Sequence, residues 1–212
     1  MDIIGFALAV LLIELTPGPN MAWLAGLGAT QGKRVGHAAV AGVALGLLVN
    51  GVLAALGLAA LLQAAPWLWH VLQWSGAAMM VFLAIETWRG AGRGAGRGRL
   101  PRLGEDGEDR EHTGRRAFLT GALINLLNPK AYVFFVAVAP RFLDGEGLSL
   151  GNALVLAVVS ASIATIIHLT IVHIGARAQA WLADPHRMQI ARRGFALVML
   201  GVAVSFVVAD LT

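Results

Sequence analysis

From Val35 to Ile85 the chain contains no Asp, Glu, Lys or Arg. A helix that crosses a bilayer needs about 20 apolar residues, so this run alone predicts two spans. Strand-period alternation is absent from it, which argues against a β-barrel. Only helices and closed barrels satisfy every backbone polar group in lipid, so helices remain. The rest of the chain agrees: 58% of its 212 residues are hydrophobic and 13% charged, against about a quarter charged in a soluble domain. Mean hydropathy is +0.73. The absence of cysteine excludes a disulfide framework and a thiolate metal site. A pI near 10.6 would suit a nucleic-acid partner, but the basic residues fall between the apolar blocks, where the positive-inside rule puts them, and no nucleic acid is expected. Met1-Asp2 followed by apolar residues lacks the basic start and small-residue cleavage site of a signal peptide. The first block is therefore read as a retained helix.

The apolar blocks predict six helices, at about 3–31, 37–62, 67–88, 117–141, 148–174 and 193–210. Gln63-Ala64-Ala65-Pro66 makes the turn between the second and third. Residues 89–116 are rich in Gly and Arg up to Arg99 and acidic from Glu105 to Glu111. Such a composition cannot bury a core and predicts a disordered loop. Orientation follows from Lys and Arg. Lys33 and Arg34 follow helix 1, eight arginines from Arg89 to Arg116 follow helix 3, and Arg177, Arg187, Arg192 and Arg193 follow helix 5. The opposite side has only Arg141. The long loop is thus expected in the cytoplasm and both termini outside.

Helix 1 is too long for a straight span: roughly 29 residues reach about 43 Å, against a hydrocarbon core of about 30 Å. Near its middle stands Thr16-Pro17-Gly18-Pro19-Asn20. Two prolines remove two donors and clash with the preceding turn, so the helix must be interrupted. Helix 4 has its own break at Asn128-Pro129-Lys130. Pro17 and Pro129 stand 112 positions apart, and the same offset carries helix 2 onto helix 5. Two three-helix repeats are predicted, and an odd number of spans makes the second inverted. Inverted repeats with broken helices are a transporter layout. Thr16 with Pro17, and Asn128 with Pro129, are expected to cap and start two half-helices. Their free N–H groups and positive dipole ends would face each other near the midplane and hold a carboxylate.

Charges at that depth cost several kcal/mol or more and mark function. Glu14 stands one turn before the first break and Lys130 just inside the second. Lys130 is expected near a substrate carboxylate, with Glu14 meeting the ammonium or carrying the coupled proton; a structural ion pair is the other reading. Asn50 and Asn125 either line the pathway or bond across helices. Glu86, beside Trp88 and Arg89 at the end of helix 3, is expected to snorkel to the interface. His168 and His173 are about 140° apart on one helix and cannot share a metal ion; His168 is either a proton relay or a packed neutral ring. Gly28, Gly32, Gly36, Gly42 and Gly46 have the spacing that lets helices pack closely. No nucleophile–base pair, metal motif or nucleotide-binding glycine fingerprint is present, so no catalytic residue, cofactor or metal is expected.

Thr16-Pro17-Gly18-Pro19-Asn20 and Asn128-Pro129-Lys130-Ala131 resemble the lysine-exporter (LysE/RhtB) family. So do Gly76-Ala77-Ala78 with Trp88-Arg89 in helix 3, and Phe135 with Pro140-Arg141-Phe142 at the end of helix 4. The resemblance covers nearly the whole chain. It implies efflux of amino acids or related metabolites across the bacterial inner membrane, driven by the proton gradient. It marks Pro17, Gly18, Pro19, Asn128, Pro129 and Lys130 as motif positions. Glu14 lies outside the motif, and helix 5 carries His168 rather than an acid. The expected protein is an all-α integral membrane protein of six transmembrane helices in two inverted repeats, residues 1–88 and 117–212, joined by the cytoplasmic loop 89–116, with helices 1 and 4 broken at the midplane. Its expected partners are a small zwitterionic substrate, the lipid bilayer and a second copy in a homodimer. The alternatives are a transporter of cations or other small metabolites on the same fold, and a non-transporting membrane scaffold.

Overall fold

The computed structural model describes residues 1–15, 18–58, 65–92, 107–143, 149–178 and 180–208. Among them every regular element is helical and there is no strand. The helices are α1 (Ile3–Leu15), α2 (Pro19–Gln31), α3 (Lys33–Leu53), α4 (Pro66–Gly92), α5 (Gly107–Leu126), α6 (Pro129–Val133), α7 (Leu150–Arg177) and α8 (Pro185–Val208). A π turn, Ala54–Leu58, follows α3, while α6 runs on through a π turn, Phe134–Val138, and a 3-10 turn, Ala139–Phe142. Lys33–Gly57, His70–Arg89 and Leu150–Arg177 are each long and apolar enough to cross a membrane, and Ile3–Glu14 is apolar but shorter.

Local chemistry explains the element ends. Asp2 Oδ1 accepts from Gly5 N–H at 2.9 Å and starts α1. Asp2 N–H donates to the Phe142 carbonyl at 2.9 Å, tying the chain start to the far end of the α6 segment. Gly32, at φ 86°, turns α2 directly into α3; that left-handed region favours glycine. Gly57, at φ 95°, kinks the π turn. Ser149 Oγ caps α7. Asp184 Oδ1 accepts from the N–H groups of Arg187 and His186. These two bonds, Arg187's first, hold the Asp184 carboxyl below its ordinary range and start α8 at Pro185.

Ile4, Leu8, Leu12 and Leu15 expose one stripe of α1 while Phe6 and Val10 are buried on the other side. That apolar stripe has the spacing of a lipid-facing helix surface. α3 packs on α5 and α7, α2 on α7 and α8, and α4 on α8. The α3–α5 and α2–α7 contacts depend on glycine. A methyl group at Gly42 would lie 1.9 Å from the Phe118 carbonyl oxygen, and one at Gly121 2.3 Å from that of Ala39. Across α2 and α7, Gly28 meets the Val172 carbonyl and Gly175 that of Ala25. Backbones approach this closely only where side chains are missing. Two of the apolar clusters that result are large. One gathers Trp23, Leu24, Val40, Met80, Ile124 and Met199, and the other Phe6, Val10, Phe134, Phe135, Leu143 and Leu156.

The structure corrects several boundaries. The segment read as a disordered loop, 89–116, is partly helical: α4 continues to Gly92 and α5 begins at Gly107. Low hydrophobicity alone did not reveal that the end of this segment is helical. Residues 93–106 of that loop lie outside the described residues, as do 63 and 64 of the expected turn. Helix 2 ends its α-helical part at Leu53 rather than 62. Asp184-Pro185, expected only as a break, caps and opens α8 eight residues before the predicted start of helix 6. The first break is also displaced: α2 starts at Pro19 with extended Gly18 at its N-cap and no side-chain cap bond. A cap by Thr16 with Pro17 as first helical residue is therefore not how α2 begins. Thr16 and Pro17 themselves lie outside the described residues.

Candidate functional site

α1 ends at Leu15, and a helix end leaves its last carbonyls without intrahelical donors. Lys130 fills one of those positions from the other half of the chain: its Nζ donates to the Ile13 carbonyl at 2.5 Å. A cation at a helix C-terminus also suits the dipole. Lys130 is aimed there by the second break. Asn128 is the N-cap of α6, its Oδ1 accepting from the Lys130 N–H at 3.1 Å, and Pro129 takes the first helical position. A proline there costs nothing, since its missing donor is one the helix leaves unpaired.

A second link joins the breaks the other way. Asn20, in the first turn of α2, donates through Nδ2 to Asn125 Oδ1 at 2.9 Å, near the end of α5. Asn50 of α3 donates to the Asn125 carbonyl at 3.3 Å. Asn20, Asn50, Asn125 and Asn128 are all buried. The two breaks therefore meet through side chains that span the halves of the chain.

Between them lies a cavity of about 30 Å³ lined by Glu14, Gly18, Asn20, Asn125, Asn128, Lys130, Ser160 and His168, with Val10, Ile13, Met21, Leu47, Ala131, Phe134 and Phe135. It holds a water molecule or two and is closed to anything of amino-acid size. His168, 1% exposed, places Nε2 3.6 Å from Glu14 Oε2. The lining is rich in unsatisfied polar atoms. Asn20 Oδ1, Asn125 Nδ2, Ser160 Oγ and His168 Nε2 are buried with no hydrogen-bond partner among the described residues, and so is Asn50 Oδ1 beside them. Buried polar atoms are nearly always paired, so these atoms call for hydrogen-bonding partners, water included.

Of the residues expected at the site, Glu14, Gly18, Asn20, Asn125, Asn128 and Lys130 line one cavity, and Asn50 braces it through Asn125. Pro19 and Pro129 open the two half-helices. Lys130 bonds the Ile13 carbonyl, a partner that side-chain reasoning did not name. Ser160 was not anticipated; a serine inside an apolar helix carries no sequence signal beyond its own polarity. His173 stacks on His37 with ring centroids 5.1 Å apart, so the two helix-5 histidines do part company. Glu86 pairs with Arg116 at 2.5 Å, both side chains exposed.

A second opening lies one turn along α2, where Asn20 and Met21 give way to Trp23, Gly26 and Leu27. It is a vestibule of about 360 Å³ between α2, α4, α5 and α8. It lies at the end of the bundle that carries Gln31, Thr87, His112 and Arg192, which is the arginine-rich end.

Comparison with known proteins gives one family. The profile described as LysE type translocator matches residues 11–210. An uncharacterized membrane protein of Pseudomonas aeruginosa is 32% identical, over 100% of this chain and 97% of its own. A homoserine/homoserine lactone efflux protein of Salmonella typhi is 27% identical over 90% of this chain and 88% of its own. A leucine efflux protein of Klebsiella pneumoniae is 29% identical over 72% and 68%. No solved structure matches.

Proposed function

The chain belongs to the LysE type translocator family, a family of transporters and not of enzymes, and from that premise we propose that it exports an amino acid or a closely related zwitterion in exchange for protons. The observation that carries this reading is the cavity between the two helix breaks, where one carboxylate, one ammonium and a cluster of unsatisfied polar atoms converge. A zwitterion supplies the complementary charges and both donors and acceptors. Glu14 takes the substrate ammonium, Lys130 its carboxylate, and the first turn of α2 adds N–H groups without intrahelical acceptors. Relatives named as homoserine and leucine efflux proteins agree with such a cargo. A cation carrier would need several carboxylates at this place, and among the described residues the cavity has Glu14 alone.

Alternating access is the motion this reading requires. The cavity at about 30 Å³ must widen to admit an amino acid, and on this reading the vestibule is the path toward it from the arginine-rich side. Inverted repeats would supply the two alternatives. In their support, Ile13 and Asn125 occupy positions 112 apart, and each is bonded to the opposite half, by Lys130 and Asn20 respectively. The self-paired contacts an inverted pair demands, α3 with α7 and α4 with α8, are both present.

We place the protein in the bacterial inner membrane with the arginine-rich end in the cytoplasm and both termini outside. A cysteine introduced beside Asp2, in a chain that has none, should react with an impermeant maleimide in spheroplasts. Labelling only after lysis would reverse the orientation. For the function itself, purified protein in liposomes should move one labelled amino acid from a screened mixture, faster under an imposed pH gradient. Folded protein that moves none of them would remove the amino-acid reading and leave another small metabolite of the same fold.

A further inference from the structure

We propose that the vestibule is a binding site in its own right, a loading site for amino acids with apolar side chains. The vestibule has polarity along its depth. At its rim Glu86 of α4 and Arg116 of α5 form an ion pair across the opening, with side chains 46% and 68% exposed. Arg192 of α8 lines the same end. One to two turns further in, the wall is mostly apolar: Leu83 lies one turn below Glu86, Met199 two turns below Arg192, and Trp23 and Leu27 face them, with Thr120 one turn below Arg116. At about 360 Å³ the space is of the size that holds small molecules.

An exposed ion pair is held weakly, so a ligand that carries both charges replaces it at little cost. The α-carboxylate goes to Arg116, a guanidinium whose fork matches a carboxylate, and the α-ammonium to Glu86. The side chain then points down the wall between Leu83, Trp23 and Met199. Among the described residues no carboxylate other than Glu86 lines the vestibule, so a cationic side chain finds no partner there. The vestibule therefore takes leucine-like zwitterions in preference to lysine. Arginines at a membrane face also attract lipid phosphates, but a carboxylate at the rim opposes a phosphate, and the zwitterion is favoured for that reason.

This inference rests on the amino-acid efflux reading, and its test is arranged to fail separately. The probe is tritiated L-leucine, bound at equilibrium by full-length Lys130→Ala protein in phosphatidylcholine nanodiscs, so that the midplane site is disabled. Leucine should still bind. Glu86→Gln and Arg116→Gln, both exposed substitutions, should each weaken it by about tenfold or more. Lysine, isocaproate (no ammonium) and isoamylamine (no carboxylate) should compete poorly. Binding lost in Lys130→Ala alone, or unchanged by both rim variants, overturns the vestibule site. Displacement of leucine when one third of the lipid is phosphatidylglycerol also overturns it and makes the rim a headgroup contact. Liposome flux of the wild type reads the efflux proposal independently: flux without vestibule binding removes only the loading site, and binding without flux removes only the transport role.

Discussion

Replacing Lys130 with alanine is expected to abolish transport, lowering the initial rate in liposomes by about a hundredfold or more, while the protein still reaches the membrane. Two contributions of the side chain are lost together. The Ile13 carbonyl at the end of α1 loses its donor, and the cavity loses the cation it shares with Glu14. Leaving a buried charge without its partner is among the costliest of point changes, about 3–5 kcal/mol, so Glu14 would be neutralised or the cavity would rearrange. Glutamine separates the two contributions. Its amide still offers a donor toward the Ile13 carbonyl but carries no charge. If the lysine only staples the broken helix, Lys130→Gln transports at close to the wild-type rate. If its charge receives the substrate carboxylate, Lys130→Gln is as inactive as Lys130→Ala. We expect the second outcome, because the staple alone would not explain why this residue borders a cavity full of unsatisfied polar atoms. Full transport by both variants would remove Lys130 from the site.

The reach of the sequence can be judged residue by residue. The helix breaks were legible because proline has a strong, local and almost context-free effect on a helix. Asn128 and Pro129 stand where cap and first residue belong. At the first break the same logic chose among two prolines and a glycine, and α2 starts at Pro19 rather than Pro17; propensity alone cannot rank adjacent candidates. The helical start of α5 was missed because charge-rich composition argues against a buried core, and a helix can begin without one. Across the two halves, legibility ends. The bonds from Asn20 to Asn125 and from Lys130 to Ile13 join residues more than 100 positions apart, and no periodicity in either helix encodes its partner. A backbone carbonyl as the partner of Lys130 is invisible to any reading of side chains. The glycine spacings were visible as close-packing surfaces, but that Gly42 meets Phe118 and Gly28 meets Val172 depends on the packed arrangement.

Proton coupling should reside in Glu14. Antiport requires one site to hold either the proton or the substrate, never both, and a carboxylate that receives the substrate ammonium does this directly: protonated, it has no charge to offer. Glu14→Gln imitates the protonated form permanently. It is expected to bind no amino acid at the cavity and to carry none, and the informative measurement is proton release. Wild-type protein in weakly buffered detergent solution, brought to a pH low enough to protonate Glu14 and given substrate, should release up to one proton per site as Glu14 gives up its proton to meet the ammonium; Glu14→Gln should release none. His168 is the competing carrier. Among the described residues its Nε2 has no hydrogen-bond partner, and it lies 3.6 Å from the Glu14 carboxylate, close enough to pass a proton through a small shift or one water. As a relay it affects how fast Glu14 exchanges its proton and not whether the proton is exchanged. His168→Gln should therefore slow gradient-driven transport by about tenfold while substrate-linked proton release keeps its amplitude. The reverse pattern, release lost in His168→Gln and retained in Glu14→Gln, would move the coupled proton to the histidine and leave Glu14 as a binding group only. On the proposed reading the distinction is geometric: Glu14 and Lys130 line one cavity and would meet the two ends of a zwitterion, whereas His168 borders that cavity from α7 and lies beside the Glu14 carboxyl.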